Sequence, residues 1–279
     1  GVDNLMVDFS FNNSFNASDG YCRFSTPGGN RTVYYRTDGV YGDPLEWWGA
    51  SPTPRLINRV PNVRLWLDPV AVGERKGVGE AKVSADQTPV EIQGVIVSAA
   101  FDGFFYVQSP DRSSGIRVHR AGHGLSAGQV VNLSGTVKTN AHGERYIEAA
   151  GVTVQQSAAV APVAMNQRTV GGGAVGSPPA GQAGVTGGTG LNNVGLLVRV
   201  TGKVTAISPD RSWVTIWDGS AVQDAGGNPG IRCSTPGMLP AGVRAGDMLS
   251  VAGPVSIVKV GSSVFPQILA RSSADITLR

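Results

Sequence analysis

One strand pattern occurs twice in this chain, and no other sequence feature constrains the fold as strongly. The first copy spans residues 90–149 and the second spans residues 197–270. Matched glycines keep a spacing of 108 to 118 positions: Gly94 and Gly202, Gly115 and Gly230, Gly128 and Gly246, Gly135 and Gly253. Such self-similarity predicts two copies of one structural unit, and it favours a row of modules over a single enzyme fold.

The composition predicts an all-β chain. A length of 279 residues suggests two or three domains. The chain has 39 glycines and 17 prolines but only 15% charged residues, which is typical of a turn-rich β protein. Short alternating runs such as residues 130–134 recur, and no window of ten residues keeps a helical period. No apolar run is long enough to predict a membrane span.

The first copy contains the runs FDGFFYVQSPDRSSGIRV (101–118) and LSAGQVVNLSGTV (125–137). They resemble the middle hairpin and the step into the fourth strand of the OB-fold, a five-stranded Greek-key barrel. Upstream, DNLMVDFSFNNS (3–14), YGDPLEWWG (41–49) and RVPNVRL (59–65) look like the closing half of a jelly-roll-like β-sandwich. This combination resembles tandem modules of large secreted bacterial surface proteins, which implies an extracellular or cell-surface location.

Four segments follow from the patterns. We expect a partial β-sandwich over residues 1–68, a first OB-like barrel over 69–156, a Gly/Pro-rich connector over 157–190 and a second OB-like barrel over 191–279. The connector contains one arginine, Arg168, and no acidic residue. It therefore has little to bury, and we expect it to pack along the surface or to stay mobile.

The N-terminal segment has too few strands to stand alone. It carries about four strand patterns, whereas a β-sandwich normally has about seven. The chain also opens inside an alternating run, residues 5–11, which predicts an upstream segment. A half-built sheet exposes unpaired backbone groups. We expect another copy of this chain, or an upstream fragment of the same precursor, to complete it, with residues 171–190 as one candidate donor.

Catalytic motifs are missing from the sequence. No GxSxG, HExxH or P-loop pattern occurs. The three histidines, His119, His123 and His142, fall in loops or at strand ends without a nearby cysteine, which disfavours a zinc site. We interpret the chain as a non-enzyme that needs no cofactor.

One loop is a weak calcium candidate. Asp218, Asp224 and Asn228 make it rich in oxygen ligands, which hard cations prefer. The loop lacks the alternating acidic spacing of known calcium loops. Ordinary turns in which these side chains bind their own backbone are the alternative.

Aromatic and basic side chains in the repeats are contact candidates. Phe104 and Tyr106 share one strand face, and Phe105 and Val107 share the other. OB barrels bind single strands by stacking bases on exposed rings beside basic side chains. The further candidates are Arg112, Arg117 and Arg145 beside these rings, and Trp213 and Trp217 in the second copy.

An alternative explains the same rings without a ligand. One set fills the barrel, and the other packs on a neighbouring module or subunit. The first barrel segment is neutral and the chain has no run of Lys and Arg, which disfavours nucleic acid as a partner.

Two further pairs stand out. Trp47 and Trp48 lie in a Gly/Pro-rich loop and form a candidate sugar-stacking platform or subunit contact. Cys22 and Cys233 lie in different segments and are a candidate disulfide in an extracellular protein. A buried free thiol is the alternative.

These observations favour a structural role. We interpret the chain as a secreted subunit of an extracellular or cell-surface assembly, fibre-like and built from copies of itself. The alternative is a module that binds polysaccharide or single-stranded nucleic acid and belongs to a larger secreted enzyme.

Overall fold

The computed structural model describes residues 23–34, 53–61, 74–177 and 179–279. The chain divides into two compact units: an N-terminal unit, residues 1–68, and a barrel unit, residues 69–279. The regular structure is almost entirely β, as the composition predicts. Within the described residues, no helix is long and apolar enough to cross a membrane.

The described part of the N-terminal unit contains two short antiparallel pairs. The strands are β1 (Phe24–Ser25), β2 (Thr32–Tyr34), β3 (Arg55–Ile57) and β4 (Val60–Pro61). Strand β1 pairs with β4, and β2 pairs with β3. The predicted first strand, residues 5–11, lies outside the described residues, as do Trp47, Trp48 and Cys22.

Five strands close the first barrel. Its elements are β5 (Glu74–Arg75), α1 (Val78–Val83), β6 (Pro89–Phe101), β7 (Phe104–Gln108), β8 (Gly115–His119), β9 (Gln129–Thr139) and β10 (Arg145–Ser157). The ring runs β6–β7–β8–β10–β9 and returns to β6. Strands β8 and β10 are parallel, and the other ring pairs are antiparallel.

The second barrel repeats this ring. Its strands are β11 (Val163–Ala164), β12 (Leu197–Ile207), β13 (Trp213–Trp217), β14 (Ile231–Ser234), β15 (Met248–Val260), β16 (Ser263–Leu269) and β17 (Ile276–Leu278). The ring runs β12–β13–β14–β16–β15 and returns to β12, with β14 and β16 parallel. Two short 3-10 helices, Gln167–Thr169 and Ser273–Asp275, flank it.

The registers of β6, β7 and β8 match those of β12, β13 and β14 residue by residue around the β6–β7 and β12–β13 pairs. A bulge between Ile92 and Val95 has no counterpart in the second barrel, so the predicted match of Gly94 with Gly202 is wrong by one position. Phe104 pairs with His119 in the first barrel, and Trp213 pairs with Ser234 in the second. Both barrels also share a β-bulge, which lies between Val97 and Ala99 in the first and between Val204 and Ala206 in the second. Counting from these bulges makes three pairs equivalent: Phe104 and Trp213, Tyr106 and Thr215, Gln108 and Trp217.

Gly135 and Gly253 occupy equivalent positions, and both must be glycine for the same steric reason. A Cβ on Gly135 would lie 2.3 Å from the Glu148 carbonyl oxygen, and one on Gly253 would lie 2.1 Å from that of Leu269. Strands β9 and β10, and likewise β15 and β16, can approach this closely only because the residue at this position has no side chain.

Each barrel has its own apolar core. Alternation sends Phe105 and Val107 of β7 inward, and it does the same for Val214 and Ile216 of β13. All four are fully buried. Because each buried side chain of this size contributes about 1.5–3 kcal/mol, the two cores stabilise the barrels separately.

The structure departs from the sequence-based expectation in two connecting segments. Residues 78–83 form α1, a helix too short to show a period in sequence, and Val78 and Ala81 are buried in the first barrel's core. The connector is also more ordered than expected. Val170 and Gln182 are 1% exposed, and Gln182 donates to the Gly143 carbonyl. Backbone groups of the connector pair within the barrel unit, as between Val175 and Gln182 and between Thr186 and Val264. These bonds argue against residues 171–190 as a strand donor.

Candidate functional site

The outer face of the first barrel is the side of β7 and β8 that points away from its core. Phe104, Tyr106 and Gln108 project onto this face, as the alternation predicts. Arg117 of β8 lies opposite Tyr106, with its guanidinium 3.7 Å from the centre of the Phe104 ring. A stacked arginine of this kind stabilises the ring position.

A buried carboxylate organises the centre of this face. Glu144, 1% exposed, accepts a hydrogen bond from the Tyr106 hydroxyl at 2.7 Å and pairs with Arg117 at 3.5 Å. Ser256 of the second barrel donates to it at 2.9 Å. Burial raises the pKa of Glu144 above its usual value, although its hydrogen bonds favour the ionised form. Burial raises the pKa of Tyr106 well above its usual value too, so the phenol stays a donor.

The second barrel carries the same constellation on its own outer face. Thr215, equivalent to Tyr106, donates to the Asp224 carboxylate at 2.8 Å. Arg232 pairs with Asp224 at 3.1 Å and lies 4.1 Å from the centre of the Trp213 ring. Burial opposes ionisation of Asp224, but its hydrogen bonds hold its pKa below the usual value. Each face thus combines a ring, an arginine, a hydroxyl and a buried carboxylate.

The carboxylates come from different loops. Glu144 precedes β10, where an Asn140 turn holds its backbone N–H. Asp224 lies in the long β13–β14 loop, in which residues 218–229 take the place of the short turn 109–114 of the first barrel. The two barrels therefore reach one arrangement by separate routes.

The first barrel's outer face is covered by the second barrel. The Gln108 side chain accepts a hydrogen bond from the Leu197 N–H at 3.2 Å, and Arg271 donates to the Ser98 carbonyl at 2.8 Å. Tyr106 and Gln108 are at most 1% exposed. Phe105 and Val107 fill the barrel, and Tyr106 lies against the neighbouring module. This arrangement is the one expected if the rings serve packing and not a ligand.

Lys82 of α1 is buried near the same junction. It is 2% exposed, and its ammonium donates to the Asn192 side-chain oxygen at 3.0 Å and to the Val194 carbonyl at 2.7 Å. Burial lowers the pKa of Lys82 to about 7, although the charge of Glu144 acts in the opposite direction. Lys82 therefore joins α1 to the segment that leads into the second barrel.

Part of the first outer face remains half-buried and carries a row of rings. Phe101 stacks on Phe104 with centroids 5.0 Å apart, and His119 stacks on Tyr146 at 4.2 Å. Phe104 and His119 join the two pairs at 6.1 Å. Burial and Arg117 lower the pKa of His119. This row is the accessible aromatic surface of the first barrel.

The other ring and arginine candidates are separated from this row. Arg112 is exposed in the β7–β8 turn with a positive φ of 60°, and Arg145 is buried beside Asp86. Trp217 is 38% exposed and donates to the Ser220 carbonyl at 2.7 Å. It occupies the position of Gln108, so only Trp213 corresponds to a ring of the first face.

Cys233 is a free thiol in the core of the second barrel. It is fully buried, and burial raises its pKa. A buried free thiol was the alternative to a bridge, and Cys22 lies outside the described residues.

The calcium candidates are used as hydrogen-bond acceptors. Asp218 accepts from the N–H groups of Gln167 and Ser220, and Asp224 accepts from those of Gly226 and Asn228. With Thr215 and Arg232 also bound, Asp224 has no free side toward a cation. No cluster of three or more His, Cys, Asp or Glu side chains suited to a metal occurs in the described part of the chain.

Sequence reasoning missed the residues that organise both faces. Glu144 reads as a lone acid at a turn, and Arg232, Ser256 and Lys82 carry no motif. The usable signal was the matched strand pattern, which puts Arg117 and Arg232 at equivalent positions opposite Tyr106 and Thr215.

Comparisons with known proteins leave the chain without a family. No family model matches it, and no curated protein matches it. Among solved structures, the hypothetical protein ygiW from E. coli aligns with 30% of this chain and 91% of its own, at 22% identity and a TM-score of 0.26. A score this low supports no inference about fold or function.

Proposed function

We propose that this chain is a non-enzymatic structural subunit of an extracellular or cell-surface assembly, and that its two barrels are OB-type modules used as building blocks. The closed five-strand rings with one parallel pair support the OB assignment. The observation that carries the structural role is that protein covers the centre of both outer faces. OB modules bind ligands on this side, and Tyr106 and Thr215 are both fully buried there.

The N-terminal unit offers a surface for assembly. Val33 and Leu56 are cross-strand partners of β2 and β3, and they are 56% and 64% exposed. Phe24 on β1 is 47% exposed. Paired apolar side chains left in water favour association with another copy.

Electron microscopy of the full chain tests this role. We expect ordered assemblies that form as the protein concentration rises and that are lost when Val33 and Leu56 are both changed to Thr. The matched control changes Val154 and Leu278 to Thr, since both are similarly exposed but lie on the barrels. Dispersed monomers at every concentration, or equal loss of assembly with the control, would contradict the proposal.

The ring row supports the alternative of a binding module. Phe101, Phe104, His119 and Tyr146 form a stacking surface beside Arg117. On the structural proposal, single-stranded DNA binds only weakly, with a dissociation constant of roughly 10⁻⁴ to 10⁻⁶ M at physiological salt. Submicromolar binding of DNA or of a polysaccharide, lost in the Phe104→Ala variant, would favour the alternative.

A further inference from the structure

Three equivalent positions on the two outer faces are each covered by a hydrogen-bonding partner. The second barrel covers the first face, and a loop covers the second face. In the first barrel each position is linked to the second barrel. Gln108 and Ser98 bond directly to Leu197 and Arg271, and Tyr106 bonds to Glu144 of its own barrel, which accepts from Ser256 of the second. In the second barrel each equivalent position contacts its own β13–β14 loop. These contacts are Thr215 with Asp224, Trp217 with Ser220, and Thr205 with Pro229.

The equivalence of Ser98 and Thr205 is independent of the rings. Each is the bulged residue of the first ring strand. The Ser98 hydroxyl donates to the Tyr106 carbonyl at 3.4 Å, and the Thr205 hydroxyl lies 3.2 Å from the Thr215 carbonyl. Both faces therefore have one backbone frame, and only the covering element differs.

The loop is built to stay on this face. The Asp224 carboxylate accepts from the Gly226 and Asn228 N–H groups at 2.9 Å, and the Asp224 N–H donates back to the Asn228 carbonyl at 2.9 Å. Val222 packs on the core of the second barrel. The first barrel has only the short turn Ser109–Ser114 at this point, which leaves its face open for a neighbour.

We propose that residues 218–229 form a cap that occupies a barrel-docking surface, in the place that the second barrel takes on the first. A further barrel cannot dock on this face of the second barrel while the loop covers it. Repeat arrays close the outer surface of a unit that docks no neighbour, and here one loop closes it. The cap acts whether or not the chain builds an extracellular assembly, because its contacts lie within the second barrel.

An extended chain with a third barrel tests the cap. Residues 158–279 are appended after Arg279, so that the third barrel presents the surface of Leu197, Ser256 and Arg271 to the second barrel. With the natural loop, we expect the appended connector to be cleaved readily by a protease. With residues 218–229 replaced by the turn Ser109–Ser114, docking should slow that cleavage about tenfold, because cleavage follows the population of the open form.

Each outcome decides the proposal. An appended connector that resists protease while the natural loop is present would show that the loop blocks nothing. A connector that stays labile after the replacement would show that the face does not dock a barrel. Circular dichroism and an unreactive Cys233 thiol, both measured on the two-barrel chain with the same loop replacement, check that the replaced barrel is folded.

A single substitution covers the case in which the loop replacement does not fold. Asp224→Ala in the three-barrel chain should release the loop and give partial protection of the appended connector. Asp210→Ala is the matched control, because Asp210 holds a similar turn through Ser212 but touches no outer face. Equal protection in both variants would overturn the proposal.

Discussion

The two barrels have the same strand ring but close their outer faces differently. The first uses a carboxylate of its own, Glu144, and completes the contact with Ser256 from the second barrel. The second uses Asp224 from its own loop and needs no neighbour. Covering a buried hydroxyl and a stacked arginine is therefore a requirement of this face, and a module or a loop can meet it. The difference separates a barrel that depends on its neighbour from one that is self-sufficient.

Removing Glu144 should break this comparison most strongly. Glu144→Ala leaves Arg117 without its carboxylate and removes the acceptor shared by Tyr106 and Ser256. Loss of one partner of a buried ion pair costs about 3–5 kcal/mol. We expect calorimetry to show the barrel unit unfolding in two steps instead of one, with the second barrel unchanged. Glu148→Ala, at an exposed glutamate of the following strand β10, is the control; a single transition in the Glu144 variant would disprove the dependence.

The shared frame predicts equal effects at the two close glycines. A methyl group on Gly135 or on Gly253 would lie within 2.3 Å of a backbone carbonyl oxygen. Because backbone must move to admit it, either change to Ala should destabilise its barrel by about 2–3 kcal/mol. Denaturant titration measures both. Gly242→Ala has nothing within 4 Å and should be nearly neutral. A large difference between Gly135 and Gly253 would argue against equivalent barrels.

Local patterns were enough for the parts of the fold that depend on near neighbours. Alternation placed Phe104 and Tyr106 on one face of β7, and the repeated pattern anticipated two similar modules. The junction could not be found in this way, since Glu144 and Ser256 are 112 residues apart in sequence. Because Trp217 is aromatic, the sequence pattern predicts that it corresponds to a ring of the first barrel. The strand register shows that it occupies the position of Gln108 instead. Helix α1 has six residues, too few to show a period.

Buried Lys82 should make the junction sensitive to pH in a direction opposite to that of Glu144. The pKa of Lys82 is about 7 in the folded protein against 10.5 when exposed. The unfolded chain therefore binds more protons in this window, and stability rises from pH 7 to 10.5 and is lost again as pH falls. The slope is at most about 1.4 kcal/mol per pH unit. The raised pKa of Glu144 does the reverse, so its contribution is lost as pH rises from 4.5.

Variants at Lys82 isolate this contribution. Urea titrations at several pH values should show that Lys82→Met removes the rise above pH 7 and leaves the dependence near pH 5. Lys259→Met, at an exposed lysine, should keep both. A rise that persists without Lys82 would assign it to other groups.

The smallest expected effect concerns a turn that the barrels share at different places. SPDRS occurs at residues 109–113, between β7 and β8, and at 208–212, between β12 and β13. Both copies fold alike, with Arg112 at a φ of 60° and Arg211 at 58°.

Glycine adopts this conformation without strain. The Arg112 side chain makes no hydrogen bond to the described residues, so Arg112→Gly should stabilise its barrel by about 0.5–1 kcal/mol. Arg211 donates to the Pro240 and Val243 carbonyls, and Arg211→Gly should lose that gain. The melting temperatures of the two variants are compared with that of the unchanged protein. Equal shifts in melting temperature would mean that the turn alone, and not the hydrogen bonds to its barrel, sets the change in stability.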